Sequence, residues 1–273
     1  MIKQLLLFGF VCWGIVYGFN RLTDGFSLSQ MRSQIPVRLA CSSPELSYAQ
    51  IENLKEIFNQ PFRYLGKGCQ FYAFGSADGR YVLKFLKQKH LRQIVPFQKR
   101  TNECREERVK RLFSSVQLAY HEMPLESGLL YIHLNREPVL EVNVTLIDKL
   151  GIHHKVALDD YECILQERGL PVKELFMQPL TNEEVWARVG QLEALVRARC
   201  GKGIRDRDRS FAQNVVFAQD EDRAFFADVG QFYKDATILD SDEQARDLAL
   251  RLANLRHFVK EKCGRAIDEQ RCD

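Results

Sequence analysis

No two of the eight cysteines stand in C-x-x-C spacing; they are scattered at positions 12, 41, 69, 104, 163, 200, 263 and 272. That absence argues against a structural zinc site and fits reduced, individually buried thiols better than a disulfide framework. Net charge is also scarce. Thirty-nine Lys and Arg against 36 Asp and Glu leave +3, too little to argue for nucleic acid as a partner. Internal repeats and low-complexity segments are missing, which excludes solenoid arrays and long disordered tracts. What remains is ordinary for a folded chain of 273 residues: 45% hydrophobic, 27% charged, with 18 Phe and nine Tyr to build a core.

The N-terminus holds the longest apolar run, "LLLFGFVCWGIVYGF" at 5–19, inside 17 uncharged residues between Lys3 and Arg21. This length sits at the lower limit for a membrane span. No A-x-A cleavage pattern follows it. The reading is an uncleaved single N-terminal span, with a signal peptide or a buried helix as alternatives. Arg21, Arg32 and Arg38 after the run lean toward a cytoplasmic C-terminal domain. Residues 1–20 are thus an anchor or signal segment, and 21–45, mixed polar with Gly, Ser and Pro, read as a linker.

Beyond it, apolar residues at 46, 51, 54, 57 and 58 predict a helix with Ser43 as a possible N-cap. Strand patterns follow at 62–67, 70–76 and 80–87, with a tight turn at "ADG" (77–79). A long helix spans about 100–121. "GLLYIHL" (128–134) fits a strand or a helix end. Strands are expected at 144–151 and 161–169, with His153 and His154 in a turn between them. An amphipathic helix covers 182–203, a short hairpin 214–230, and a last helix about 241–262.

Four motifs point to chemistry. "LGKG" places Gly66 and Gly68 between two strands, where backbone amides can cradle phosphate. "VLKF" puts Lys84 inside an apolar strand, where a cation needs an anionic partner. Glu103 on the next helix is the first candidate, with Glu106 and Glu107 as alternatives. "RDRDRSFAQN" (205–214) follows the strong helix, and "DVG" with Asp228 lies 14 residues after Asn214. The segment 84–111 carries ten basic and three acidic residues. It reads as a solvated helix face, or as a surface attracted to anionic lipid; stacking aromatics for nucleic acid are few there.

In order and spacing these motifs resemble the protein-kinase-like superfamily, in the broad sense that includes small-molecule and lipid kinases. The "DRD…N…DVG" pattern is similar to divergent bacterial, chlamydial-type segments. The resemblance covers residues 62–262. It implies an α+β, two-lobed kinase-like fold with a five-stranded antiparallel N-lobe sheet carrying one helix (46–170), and a small, mainly helical C-lobe (171–273). It implies ATP and Mg²⁺ as cofactors. Gly66, Gly68, Lys84 and Glu103 would serve the phosphates, and Gln166, in "ILQERG", would sit where the chain meets adenine. Asn214 and Asp228 would bind the metal, and Asp208 or Asp206 would orient the acceptor hydroxyl. The chain departs from the family pattern at four places. Phe71 replaces the third glycine, and no His precedes Arg205 and Asp206. Five residues, not four, separate Asp208 from Asn214, and only 43 residues follow Gly230. The functional expectation is a membrane-anchored phosphotransferase of unknown acceptor. The alternatives are a pseudokinase scaffold and an α+β interaction domain without nucleotide.

Overall fold

The three strands expected between residues 62 and 87 form a meander: β1 (Phe62–Lys67), β2 (Phe71–Ser76) and β3 (Tyr81–Leu86), antiparallel throughout. Alternation of apolar and polar residues drives it. Phe62, Phe74, Leu83 and Phe85 are all fully buried. The computed structural model describes residues 2–36, 39–88, 99–219, 223–264 and 267. Its chain divides into two units, one of residues up to 106 with 132–165, the other of 107–131 with 166–273.

The first unit begins with α1 (Ile2–Thr23) and α2 (Tyr48–Phe58). Among the described residues no helix is long and apolar enough to cross a membrane, and this overturns the N-terminal span and the membrane location expected from it. The physical reason is length and composition. The 17 uncharged residues fall short of the ~20 that a bilayer core needs, and glycines interrupt the run. The segment after α1, expected to be a linker, contributes core. Phe26, Met31, Ile35 and Leu39 are buried, and Phe26 packs edge-on against Tyr72 and Phe74 at 5.5 and 5.6 Å. α2 is capped by Ser47 rather than Ser43, through a capping box with Gln50.

Among the described residues the sheet has seven strands, not five, in the order β4-β7-β3-β2-β1-β5-β6. β5 (Asn143–Ile147) and β7 (Cys163–Glu167) answer to the expected strands at 144–151 and 161–169, and the two additions are β4 (Leu129–His133) and β6 (His153–Ala157). Nor is it purely antiparallel, since β1 runs parallel to β5. Two readings account for the difference. Residues 129–133 are strand, and the histidine pair lies in β6 instead of a turn, with His153 opposite Ile147 and His154 opposite Leu146. The turn comes earlier because Asp148 supplies it. Its carboxylate accepts the amides of Leu150 and Ile152, each at 2.9 Å, and Gly151 takes the left-handed φ of +83°.

The second unit holds most of α3 (Lys99–Glu122), then α4 (Pro124–Ser127), β8 (Gly169–Pro171), α5 (Val172–Phe176) and α6 (Asn182–Gly201). β9 (Ile204–Asp206), α7 (Phe211–Asn214), β10 (Val215–Ala218), β11 (Ala224–Phe226), β12 (Phe232–Lys234) and α8 (Ser241–Cys263) complete it. Thr181 and Glu184 form a capping box that starts α6. The strands make two small sheets, β11-β10-β8 and β12-β9. Both flank the charged loop at 205–214, so that loop leaves one sheet and enters the other.

Candidate functional site

The loop is held from below by α8. Arg251, 2% exposed, donates to the main-chain carbonyls of Asp206 (2.7 Å) and Asp208, and lies 3.4 Å from the Asp206 carboxylate. Asp247 on the same helix pairs with Arg251 and with Arg199 of α6, a fully buried guanidinium. Two buried arginines with shared carboxylates fix the loop's path, because a buried cation is tolerated only where partners surround it.

Asp206 and Asp208 therefore differ in environment. Asp206 ends β9, paired with Phe232 across the small sheet, and its carboxyl is buried. Burial pushes its pKa up to about 6, against the pull of Arg251, of the Asp208 amide and of Arg199. Asp208 lies past the strand and is half-buried. Burial would raise it too, but the Ser210 amide at 2.8 Å, the side chains of Asn214 and Ser210, and Arg251 together hold it below the ordinary carboxylate range. Asp208 therefore keeps its charge to lower pH than Asp206 does.

Asn214 closes α7 and Asp228 follows β11, and these positions are adjacent. The Asn214 carbonyl accepts the amides of Ala227 (2.7 Å) and Asp228 (3.3 Å), while Val215 pairs with Phe226. Asp228 is exposed, and its Oδ1 accepts the Gly230 amide at 3.0 Å. The second unit thus brings together Asp208, Asn214 and Asp228. Ser115 of α3 anchors the same turn, donating to the Val229 carbonyl (2.5 Å) and accepting from the Phe232 amide (2.6 Å).

Lys84 and the two glycines lie in the first unit. Lys84 is half-buried in β3, opposite Ala73. At Gly66 and Gly68 an added Cβ would meet nothing within 4 Å, so the face of this turn is open to a ligand. The turn is closed by the Gly68 amide donating to Phe71 (2.9 Å). Lys87, buried over the Tyr72 ring at 4.6 Å, donates to the Gly68 carbonyl. The Glu103 side chain is outside the described residues. Gln166 is buried, and its amide donates to the carbonyls of Ser127 and Phe226 (2.8 Å). That side chain is engaged by main-chain groups of the second unit.

Sequence reasoning missed Arg199, Asp247, Arg251 and Ser115. The arginines on α6 and α8 were legible as helical charges, but burial of a helical arginine leaves no mark in a charge pattern. Among the described residues no group of three or more His, Cys, Asp or Glu side chains could hold a metal by itself. The oxygen donors present, one carboxylate and one amide, suit Mg²⁺, which keeps waters and takes phosphate oxygens as further ligands.

No family model and no curated protein matches the chain. Among solved structures it is similar to Rv3197 of Mycobacterium tuberculosis in complex with erythromycin, at 14% identity and TM-score 0.36. That match covers 83% of this chain and 64% of the other, so the chain spans less than two thirds of that protein's length. It is also similar to the ADP-bound aminoglycoside phosphotransferase APH(2'')-Ib, at 12% identity and TM-score 0.28, over 79% of this chain and 84% of that one.

Proposed function

We propose that the chain is a Mg–ATP-dependent phosphotransferase of the kinase-like class, acting on a hydroxyl acceptor. The convergence of Asp208, Asn214 and Asp228 on the β10–β11 hairpin supports this reading. Asn214 and Asp228 would hold the metal. A bound Mg²⁺ would neutralise charge on the phosphoryl group in transfer. Asp208, kept ionised by its hydrogen bonds, would orient the acceptor hydroxyl and take its proton. Asp206 would act on the fold of the loop through Arg251, so Asp208 is our choice of base. Gly66, Gly68 and Lys84 are our candidates for phosphate contacts on the first unit.

ATP turnover by the whole chain tests this. Asp208→Asn should lower the rate about 100-fold or more while the protein stays folded, in line with the loss of a general base. Unchanged turnover would sink the assignment. A second reading, a non-catalytic pseudokinase, draws on Phe71 in place of a glycine and on the lengthened Asp208–Asn214 spacing. It predicts Mg-dependent nucleotide binding without turnover in the unmodified chain.

A further inference from the structure

Beside the loop the second unit carries a cavity of about 330 Å³. Its lining includes Lys110, Arg111 and Ser114 of α3, Arg207 of the loop, and Tyr233 and Lys234 of β12. Four of these residues are cationic, and Glu107 is the acid among them. Lys234 is partly satisfied already, by Glu122 and by the Lys202 carbonyl at 3.0 Å. The excess therefore rests on Lys110, Arg111 and Arg207, against Glu107.

Three features set this cavity apart from a solvated basic helix face. Its cations come from three separate segments and meet in a concavity. Arg207 is stacked over the Tyr233 ring, with the guanidinium carbon 3.9 Å from the ring centre. Stacking restrains the plane of the guanidinium and leaves its N–H edge for paired contacts with an oxyanion. The walls are also pinned to each other. Ser115 ties α3 to the Val229–Phe232 turn, and the Arg207 amide donates to Gln231 at 3.1 Å. The volume matches a small ligand, at the lower end of small-molecule pockets.

We propose that this cavity binds a small molecule bearing a phosphate monoester, its oxyanion held by Arg207, Arg111 and Lys110 and its body against Tyr233. A dianion is favoured over a carboxylate because three cations face one acid. Arg207 immediately precedes Asp208, so occupation would be felt at the loop. This inference stands apart from the phosphotransferase reading and survives if that reading fails.

Calorimetry on the full chain at fixed ionic strength tests it, with phenyl phosphate, inorganic phosphate and phenol as probes. Saturable binding of phenyl phosphate is expected, weaker binding of inorganic phosphate, and none of phenol. Arg207→Gln, Arg111→Gln and Lys110→Gln should each weaken phenyl phosphate about ten-fold, the scale of a lost charge-assisted hydrogen bond. Lys110 and Arg111 are exposed on α3, so these two variants test the site even if Arg207→Gln perturbs the loop. Asp228→Asn should leave the affinity within two-fold, which separates this site from one at the hairpin. No saturable binding, binding untouched by the α3 variants, or equal affinity for phenol would overturn the proposal. Loss of binding in Asp228→Asn would also overturn it.

Discussion

The main-chain carbonyl of Asn214 accepts the amide hydrogen of Asp228 at 3.3 Å. Fourteen positions apart in sequence, the two residues occupy adjoining strand ends of one hairpin. Both stand at the same end of the β10–β11 ladder, and the Asn214 side chain hydrogen-bonds the Asp208 carboxylate. The hairpin is closed by apolar pairing. Val215, Phe225 and Phe226 are buried, so the polar residues collect at its open end.

Arg251 should be the most sensitive single position of the loop. Arg251→Met leaves the Asp206 carboxyl buried beside fewer donors and frees two main-chain carbonyls. Breaking a buried ion pair from one side costs about 3–5 kcal/mol. Urea unfolding should show a loss of that size, and Arg251→Met combined with Asp206→Asn should recover part of it. A loss below about 1 kcal/mol would mean that the loop is held elsewhere.

Two glycines of the second unit should respond in opposite directions to alanine. At Gly169 an added Cβ would lie 2.4 Å from Val216 Cγ2 and 2.7 Å from the Phe217 carbonyl oxygen. Gly169→Ala must push β8 away from β10 and should destabilise by about 1–3 kcal/mol. Gly190, inside α6, meets nothing within 4 Å. Gly190→Ala should stabilise by about 0.5–1 kcal/mol through helix propensity. Thermal melting of both variants checks the pair of signs.

Stability should fall as pH rises from about 5 to about 7.5. Burial pushes the Glu162 carboxyl up to about 7, against hydrogen bonds from Ser33 and Gln88 and the charge of Arg136. A carboxyl whose folded pKa is raised binds its proton more tightly in the folded state. Its contribution is therefore present below the unfolded pKa and is lost as pH climbs through the folded value. For Glu162 this amounts to about 3 kcal/mol. Glu162→Gln should remove most of the slope in that window. An unchanged slope would place the titration at another group, Asp206 first.

The elements were legible where one periodicity ran unbroken. The meander of β1 to β3 and the helices α3, α6 and α8 follow their apolar patterns closely. The extra strands were not, because His153 and His154 are polar residues in a half-exposed hairpin, where cross-strand pairing rather than hydrophobicity sets the conformation. The stretch from Phe26 to Leu39 was hidden for a different reason. Its buried residues recur every four or five positions within a polar, Ser-rich background, without the period of a helix or a strand. Spacing singled out Asn214 and Asp228 as candidates, and the structure places them side by side. The environments of Asp206 and Asp208 could not be told apart in the sequence, because they are set by Arg251 of α8, a contact 43–45 residues away.

The most direct measurement is the thermal shift of the full chain with ATP, with and without Mg²⁺, for the unmodified protein and for Asp228→Ala. A metal-dependent rise in melting temperature is predicted for the unmodified chain and its loss in the variant, whose own melting temperature without ligand stays unchanged. A Mg-dependent rise of equal size in both proteins, or no shift in a well-folded chain, would contradict a metal–nucleotide site at Asn214 and Asp228.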